Sequence, residues 1–218
     1  MNDRIKAIVF DVGGVLRWNG KRGMNVLERI ADMIGAPSDE FKKAYWERNQ
    51  LSNVENMPWE DLIAGVVKIF DPAFETEERV RKFVRDYEAS RTKNKALVDL
   101  FPKLHKLGLK IGILSNATTQ LRKWLEDEGI APLVDVVIIS GEIGYQKPNK
   151  EAFDILFERL ALAPRQVVFV DDSLKSLEKA DEIGYIPILF KDNKQLKDEL
   201  EKLGISLPTS ANPPTLKP

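Results

Sequence analysis

Five short, nearly continuous apolar runs, at residues 7–10, 111–114, 136–139, 167–170 and 186–190, constrain this chain more than any other feature. Segments of helical periodicity separate the last four. Leu121, Trp124 and Leu125 mark one helix before Gly129; Phe153, Leu156 and Leu160 mark another; Leu174, Leu177 and Ala180 mark a third before Gly184. Uniformly apolar strands alternating with amphipathic helices predict a parallel sheet covered on both faces, hence a doubly wound α/β fold.

About a hundred residues separate the first run from the second, far too many for a simple crossover. Within them, Leu27, Ile30, Ala31 and Ile34 predict a helix ended at Gly35, and Ser38 is read as the N-cap of the next, which carries Phe41, Ala44 and Tyr45. Pro58 is placed in the first turn of a helix with Leu62, Val66 and Ile69. Thr76-Glu77-Glu78 begins one with Val80, Phe83, Val84 and Tyr87 on one face. These signals predict an all-helical insert at residues 17–91, flanked by core segments 1–16 and 92–206. Residues 207–218 hold four of the twelve prolines and little that could be buried, and read as a mobile tail.

Composition narrows the chemistry. The 33 Lys+Arg balance 34 Asp+Glu to a formal charge of −1, which gives no electrostatic footprint for nucleic acid. With no cysteine, disulfides, thiolate metal sites and cysteine nucleophiles are excluded, so oxygen and nitrogen groups must carry any reaction. The N-terminal apolar run is too short for a signal-peptide core or a membrane span, so a cytoplasmic protein without a membrane partner is expected. No pattern specifies an oligomeric state. The single histidine, His105, lies where Leu97, Leu100, Leu104 and Leu107 repeat at helical spacing, and reads as a solvated flank rather than a base.

In an open α/β sheet, ligands bind beyond the carboxyl ends of the strands, at the topological switch point. Here those ends lead into Asp11-Val12-Gly13-Gly14, Ser115-Asn116 and Asp171-Asp172-Ser173. Singly, each has an ordinary reading as a turn or helix cap, and Lys147-Pro148 as a solvated lysine at a helix start. Together they differ. Asp11, Asp171 and Asp172 would meet at one sheet edge and repel unless a cation joins them. Oxygen-only ligands suit Mg²⁺, which completes its shell with water and substrate phosphate. The Ser115-Asn116 turn adds an anion cradle at a helix N-terminus. A phosphate-handling site follows.

In this order, Phe10-Asp11-Val12-Gly13-Gly14-Val15-Leu16, Leu114-Ser115-Asn116, Lys147-Pro148 and Val170-Asp171-Asp172-Ser173 resemble the four motifs of the haloacid dehalogenase superfamily. The resemblance spans about residues 5–190, and the helical insert is similar in position to the cap domain of many members. It looks like the capped branch that includes sugar-phosphate phosphatases and the phosphatase half of soluble epoxide hydrolases. The implied activity is that of a Mg²⁺-dependent phosphatase acting on a small phosphorylated metabolite, a sugar 1-phosphate among the possibilities, through an aspartyl-phosphate. By that resemblance Asp11 would be the nucleophile, its other oxygen on the metal. Ser115 and the backbone N–H of Asn116 would hold phosphoryl oxygens, with Gly14 also assigned to substrate binding, and Lys147 would hold both nucleophile and phosphoryl group. Asp171 would bind metal directly, Asp172 would act on its waters, and the Gly13 carbonyl would be a further ligand.

Two positions depart from the family pattern. Most phosphatases of the superfamily have a second aspartate two residues after the nucleophile, serving as general acid and base, where this chain has Gly13; Ser176 stands where relatives often have Asn. Acid–base assistance is worth about 10²–10⁴ in rate. Gly13 therefore disfavours a phosphomutase and keeps two alternatives open: a 2-haloacid dehalogenase-type hydrolase, whose halide needs no proton, and a non-catalytic binding or regulatory protein. Paired carboxylates Asp171-Asp172 have little use in metal-free dehalogenation. For the cleft wall, the insert offers Trp18, Trp46, Arg48, Trp59 and a loop over residues 49–57.

Overall fold

The computed structural model describes residues 5–18, 25–52 and 55–206; the tail expected at 207–218 lies outside them. Five strands form one parallel sheet in the order β5-β4-β1-β6-β7: β1 (Ala7–Phe10), β4 (Lys110–Ser115), β5 (Val136–Ile139), β6 (Val167–Asp171) and β7 (Ile186–Leu189). All five predicted strands are present. β4 and β6 run one residue further than their apolar cores, to Ser115 and Asp171, and β7 stops before Phe190. From β1 the chain steps outward through β4 to β5, then crosses back to β6 on the other side of β1. The carboxyl ends of β1, β4 and β6 thus surround the switch point.

Alternation along each strand splits the core into two layers. Ile8, Phe10, Ile111, Ile113, Val168 and Val170 face one side. There they meet α5 (Lys95–Val98), α6 (Phe101–Lys106), α7 (Gln120–Asp127) and α12 (Asn193–Lys202), with Phe10 stacked on Phe101 at 5.2 Å. Ala7, Val9, Leu114, Ile138 and Phe169 face the other. α8 (Ser140–Ile143), α9 (Lys150–Leu160), α10 (Leu174–Leu177) and α11 (Ala180–Ile183) cover that side, where Phe153 stacks on Tyr185 at 4.7 Å. Each fully buried large side chain contributes roughly 1.5–3 kcal/mol. His105 sits on the exposed flank of α6, its Nε2 3.1 Å from the Leu133 carbonyl oxygen.

Between β1 and β4 the insert forms α1 (Val26–Ile34), α2 (Ser38–Ser52), α3 (Trp59–Phe70) and α4 (Phe74–Ser90) around a separate apolar cluster that includes Ile30, Phe41, Leu62, Ile63, Val66, Val80 and Val84. Asn25 caps α1, and Gly35 ends it in the left-handed conformation. Ser38 is not a cap: α2 begins at Ser38 itself, the Pro37 carbonyl accepts from the Phe41 amide, and the Ser38 hydroxyl is buried without a partner. Nor do residues 49–57 form one loop, since α2 continues to Ser52. A two-residue antiparallel ribbon, β2 (Arg17–Trp18) with β3 (Thr92–Lys93), clasps the two ends of the insert. No helix among the described residues is long and apolar enough to cross a membrane.

Candidate active site

Register builds the centre of the site. Phe10 of β1 pairs with Val170 of β6, so the next residues, Asp11 and Asp171, emerge side by side at the sheet edge. With Asp172 they form a cluster in which an oxygen of each lies within 4.8 Å of the others. Lys147, from the segment between α8 and α9, reaches in and donates from Nζ to Asp11 Oδ1 at 2.8 Å and Asp171 Oδ2 at 2.5 Å. The other Asp171 oxygen accepts from the Ser173 amide.

Asn116 holds that lysine in place. Its side-chain amide donates to the Lys147 carbonyl at 3.0 Å and accepts from the Lys147 amide at 2.8 Å, a two-way clamp between the end of β4 and the lysine segment. One N–H and one acceptor site of the side chain are thus spent on positioning Lys147. Buried Ser140 fixes the same turn, its hydroxyl accepting from the Ala117 amide and donating to the Ala117 carbonyl. At Gly14 φ is +77°, which favours glycine, and a Cβ there would displace the Asp172 carboxylate. Gly13 has no such constraint; a Cβ there would find ordinary contact distances of 3.8 Å to Arg91 Nη2 and Asp11 Oδ2.

Crowding of charge marks the cluster. Burial raises the Asp11 carboxyl pKa, with Asp171 adding to the shift and Lys147 opposing it. For Lys147, burial disfavours the charged form, but Asp11 and Asp171 together outweigh it and the pKa is raised. Asp172 lies on the solvent side, yet desolvation against the cleft wall, then the charges of Asp11 and Asp171, push it up to about 6.

A cleft of about 900 Å³ separates these strand ends from the insert. Asp11, Gly13, Gly14, Ser115, Asn116 and Lys147 line its floor, together with Asp171 and Asp172. The opposite wall includes Arg17, Tyr45, Trp46, Trp59 and Arg91. Across the mouth, Asn56 donates to Thr119 Oγ1 at 2.9 Å and accepts from the Thr119 amide at 2.7 Å, tying the insert to the start of α7. Exposed hydrogen bonds contribute about 0.5–1.5 kcal/mol each. Asn56→Ala is therefore expected to raise the KM of whatever substrate the cleft takes by roughly tenfold, with little change in Tm. Steady-state kinetics check this; a KM within twofold of wild type means the contact does not hold the cleft closed.

A family model for haloacid dehalogenase-like hydrolases matches residues 5–180. The chain belongs to that family. Among curated relatives, rat bifunctional epoxide hydrolase 2 is 24% identical over 243 residues, covering 98% of this chain but 42% of its own length. The chain thus spans about two fifths of the epoxide hydrolases it matches. A phosphatase of Mycobacterium tuberculosis is 26% identical over 215 residues, covering 93% of this chain and 97% of that protein. Among solved structures, a haloacid dehalogenase family enzyme of Bacteroides thetaiotaomicron superposes with a TM-score of 0.65 at 18% identity, over 88% of this chain and 98% of that one. It has also been solved in complex with magnesium and inorganic phosphate.

Within this haloacid dehalogenase-like hydrolase, all the residues expected at the strand ends except Val12, which is buried in the core, line the cleft. Two cleft candidates from the insert do not. Trp18 packs into the core, its ring 6.0 Å from that of Phe190, and Arg48 donates to the Gly65 carbonyl. Conversely, Arg17 and Arg91 were not singled out from the sequence. They lie 74 positions apart (91 minus 17) and are neighbours only because the β2–β3 ribbon joins the ends of the insert.

Proposed function

We propose that this hydrolase is a Mg²⁺-dependent phosphatase that acts on a small phosphorylated metabolite through an aspartyl-phosphate on Asp11. Residues 17–91 serve as a cap over a core formed by 1–16 and 92–206. One observation carries the reading: three carboxylates share a sheet edge with one buried lysine. The set fits a hard divalent cation, because its donors are all oxygen and desolvation, with the like charges of Asp11 and Asp171 added, disfavours an ionised Asp172 without a cation. Asp11, Asp171 and Asp172, with the Gly13 carbonyl, would hold Mg²⁺. Bound there, it would offset negative charge on the transferring phosphoryl group.

The chain's own groups divide the work as follows. A carboxylate oxygen of Asp11 attacks phosphorus while the bond to the leaving oxygen breaks, its electron pair departing on the alkoxide, which takes a proton from solvent water to become the alcohol. Lys147 neutralises charge beside the nucleophile, and Ser115 with the Asn116 amide holds phosphoryl oxygens. Water then attacks phosphorus, giving up a proton to solvent, which breaks the acyl-phosphate bond and releases inorganic phosphate and the free Asp11 carboxylate. The purified protein with Mg²⁺ should release phosphate from members of a panel of phosphorylated metabolites. Chloride release from 2-haloacids without phosphate release would overturn the reading.

Gly13 shapes the rate law. Without a side chain there to protonate the departing oxygen, charge builds on that atom, so kcat/KM should rise steeply as the leaving alcohol becomes more acidic. Among sugar phosphates, an anomeric 1-phosphate should outrun the matching 6-phosphate. Gly13→Asp has room for its Cβ and no positive φ to strain it. It should raise kcat/KM for the poorest leaving groups by up to about 10² and flatten the series. Rates for aryl phosphates of graded leaving-group pKa, before and after the substitution, check this; a flat wild-type series would mean that another group supplies the proton.

A further inference from the structure

Two arginines on the cap side of the cleft have no part in the chemistry above. Arg17, in β2, and Arg91, just after α4, converge on one residue, Glu88. Arg17 Nη2 lies 3.0 Å from Glu88 Oε2 and also donates to the Glu88 carbonyl, while Arg91 Nη1 lies 2.8 Å from Glu88 Oε1. Two guanidiniums thus share one carboxylate, and a positive charge is left over. Both side chains are largely enclosed, 16% and 18% exposed, and both line the cleft. The Nε–H of each is buried without a hydrogen-bond partner, and these are two of the three such side-chain atoms among the described residues. Enclosed charged donors without acceptors are costly, and a ligand oxygen or water entering the cleft would supply the missing acceptor.

The position is equally specific. The Arg17 guanidinium lies 5.0 Å over the Trp124 ring, a favourable cation–π contact. Arg91 Nη2 and Asp11 Oδ2 would each lie 3.8 Å from a Cβ at position 13, so the guanidinium and the nucleophile are at most twice that distance apart. The arginine pair therefore lines the same cleft as the nucleophile, with Arg91 beside it.

We propose that Arg17 and Arg91 form a second anion-binding subsite, and that the substrate is a phosphomonoester whose leaving alcohol carries a carboxylate or a second phosphate a few atoms from the ester oxygen. This rests on the phosphatase reading for its choice of phosphoester. A planar guanidinium pairs with either anion through parallel N–H···O bonds, and the surplus charge is neutralised when it does.

Non-hydrolysable phosphonates test the subsite without turnover. Calorimetric titration should show 3-phosphonopropionate binding the wild-type protein with Mg²⁺ at least about tenfold more tightly than uncharged-tailed propylphosphonate. That ratio should fall to threefold or less in Arg17→Gln and Arg91→Gln and be partly kept in Arg91→Lys. Equal binding of the two phosphonates by the wild type overturns the proposal even if the variants fail to fold, and so does a ratio that survives both glutamine substitutions. In parallel, kcat/KM is measured for ethyl phosphate, phosphoglycolate and 1,2-ethanediol bisphosphate, the last two separating carboxylate from phosphate. Hydrolysis of all three without preference removes the subsite and leaves the phosphatase. Selective phosphonate binding with no hydrolysis of any ester does the reverse.

Discussion

Asp11→Asn is expected to lower turnover by about three orders of magnitude or more while the fold persists. The amide is a far poorer nucleophile than the carboxylate, and losing a covalent nucleophile costs on the order of 10³–10⁶ in kcat where it has been dissected in other enzymes. Stability should move little, because two effects oppose each other. The neutral amide removes the need to hold a charge in a buried position, which burial already disfavours at Asp11. Against this, Lys147 would lose one of its two carboxylates but keep Asp171 at 2.5 Å. A Tm within about 4 °C of wild type, together with loss of activity, is the expected pair of results. Retention of more than a few per cent of wild-type kcat would remove the covalent mechanism. A large drop in Tm would instead make the activity loss uninformative, and Asp11→Glu, which keeps the charge but displaces the attacking oxygen, would then replace it.

The sheet was legible because burial on both faces leaves little choice of residue: the five apolar runs are strands, and the residues just beyond three of them form the floor of the cleft. Asp11 beside Asp171 follows from a parallel register that apolar patterning dictates. The lysine is different. Lys147-Pro148 looks like a solvated helix start until the Asn116 clamp draws it inward, and a contact between side chain and backbone across 31 residues leaves no periodic trace. The β2–β3 ribbon was missed for a related reason, since strands of two residues have no period to detect. That ribbon decides much of the cleft wall. It packs Trp18 beside Phe190 and sets Arg17 close to Arg91, so reading tryptophans from composition alone misplaced one of them. α2 outran its expected end because its last turn, Asn49-Gln50-Leu51-Ser52, includes Asn and Ser, which favour loops in sequence.

Removal of divalent cations is expected to stop phosphate release altogether, and Mg²⁺ to restore it. Asp11, Asp171 and Asp172 against Lys147 leave two net negative charges at the sheet edge when all are ionised. A phosphate dianion approaching Asp11 would meet that charge at a few ångströms in a partly dry cleft, where like charges are poorly screened. One divalent cation brings the cluster to neutrality, so substrate binding and cation binding should depend on each other. Because the folded protein alone gathers the three carboxylates, the cation should also stabilise the fold. At a hundredfold excess over its Kd that amounts to about 2.7 kcal/mol, several degrees in Tm for a chain of this length. Asp171→Ala should require at least about tenfold more Mg²⁺ for half-maximal activity and lose most of the thermal shift, while Lys147 retains Asp11 as a partner at 2.8 Å. Phosphate release and melting curves measured across a Mg²⁺ titration supply both readouts. Undiminished phosphate release in chelator would show that Lys147 alone offsets the charge, and the three-carboxylate cluster would then need another explanation. Chloride release from 2-haloacids under the same conditions would point to dehalogenation by Asp11, whose halide needs neither a proton nor a cation to leave, and would leave the paired carboxylates without a role.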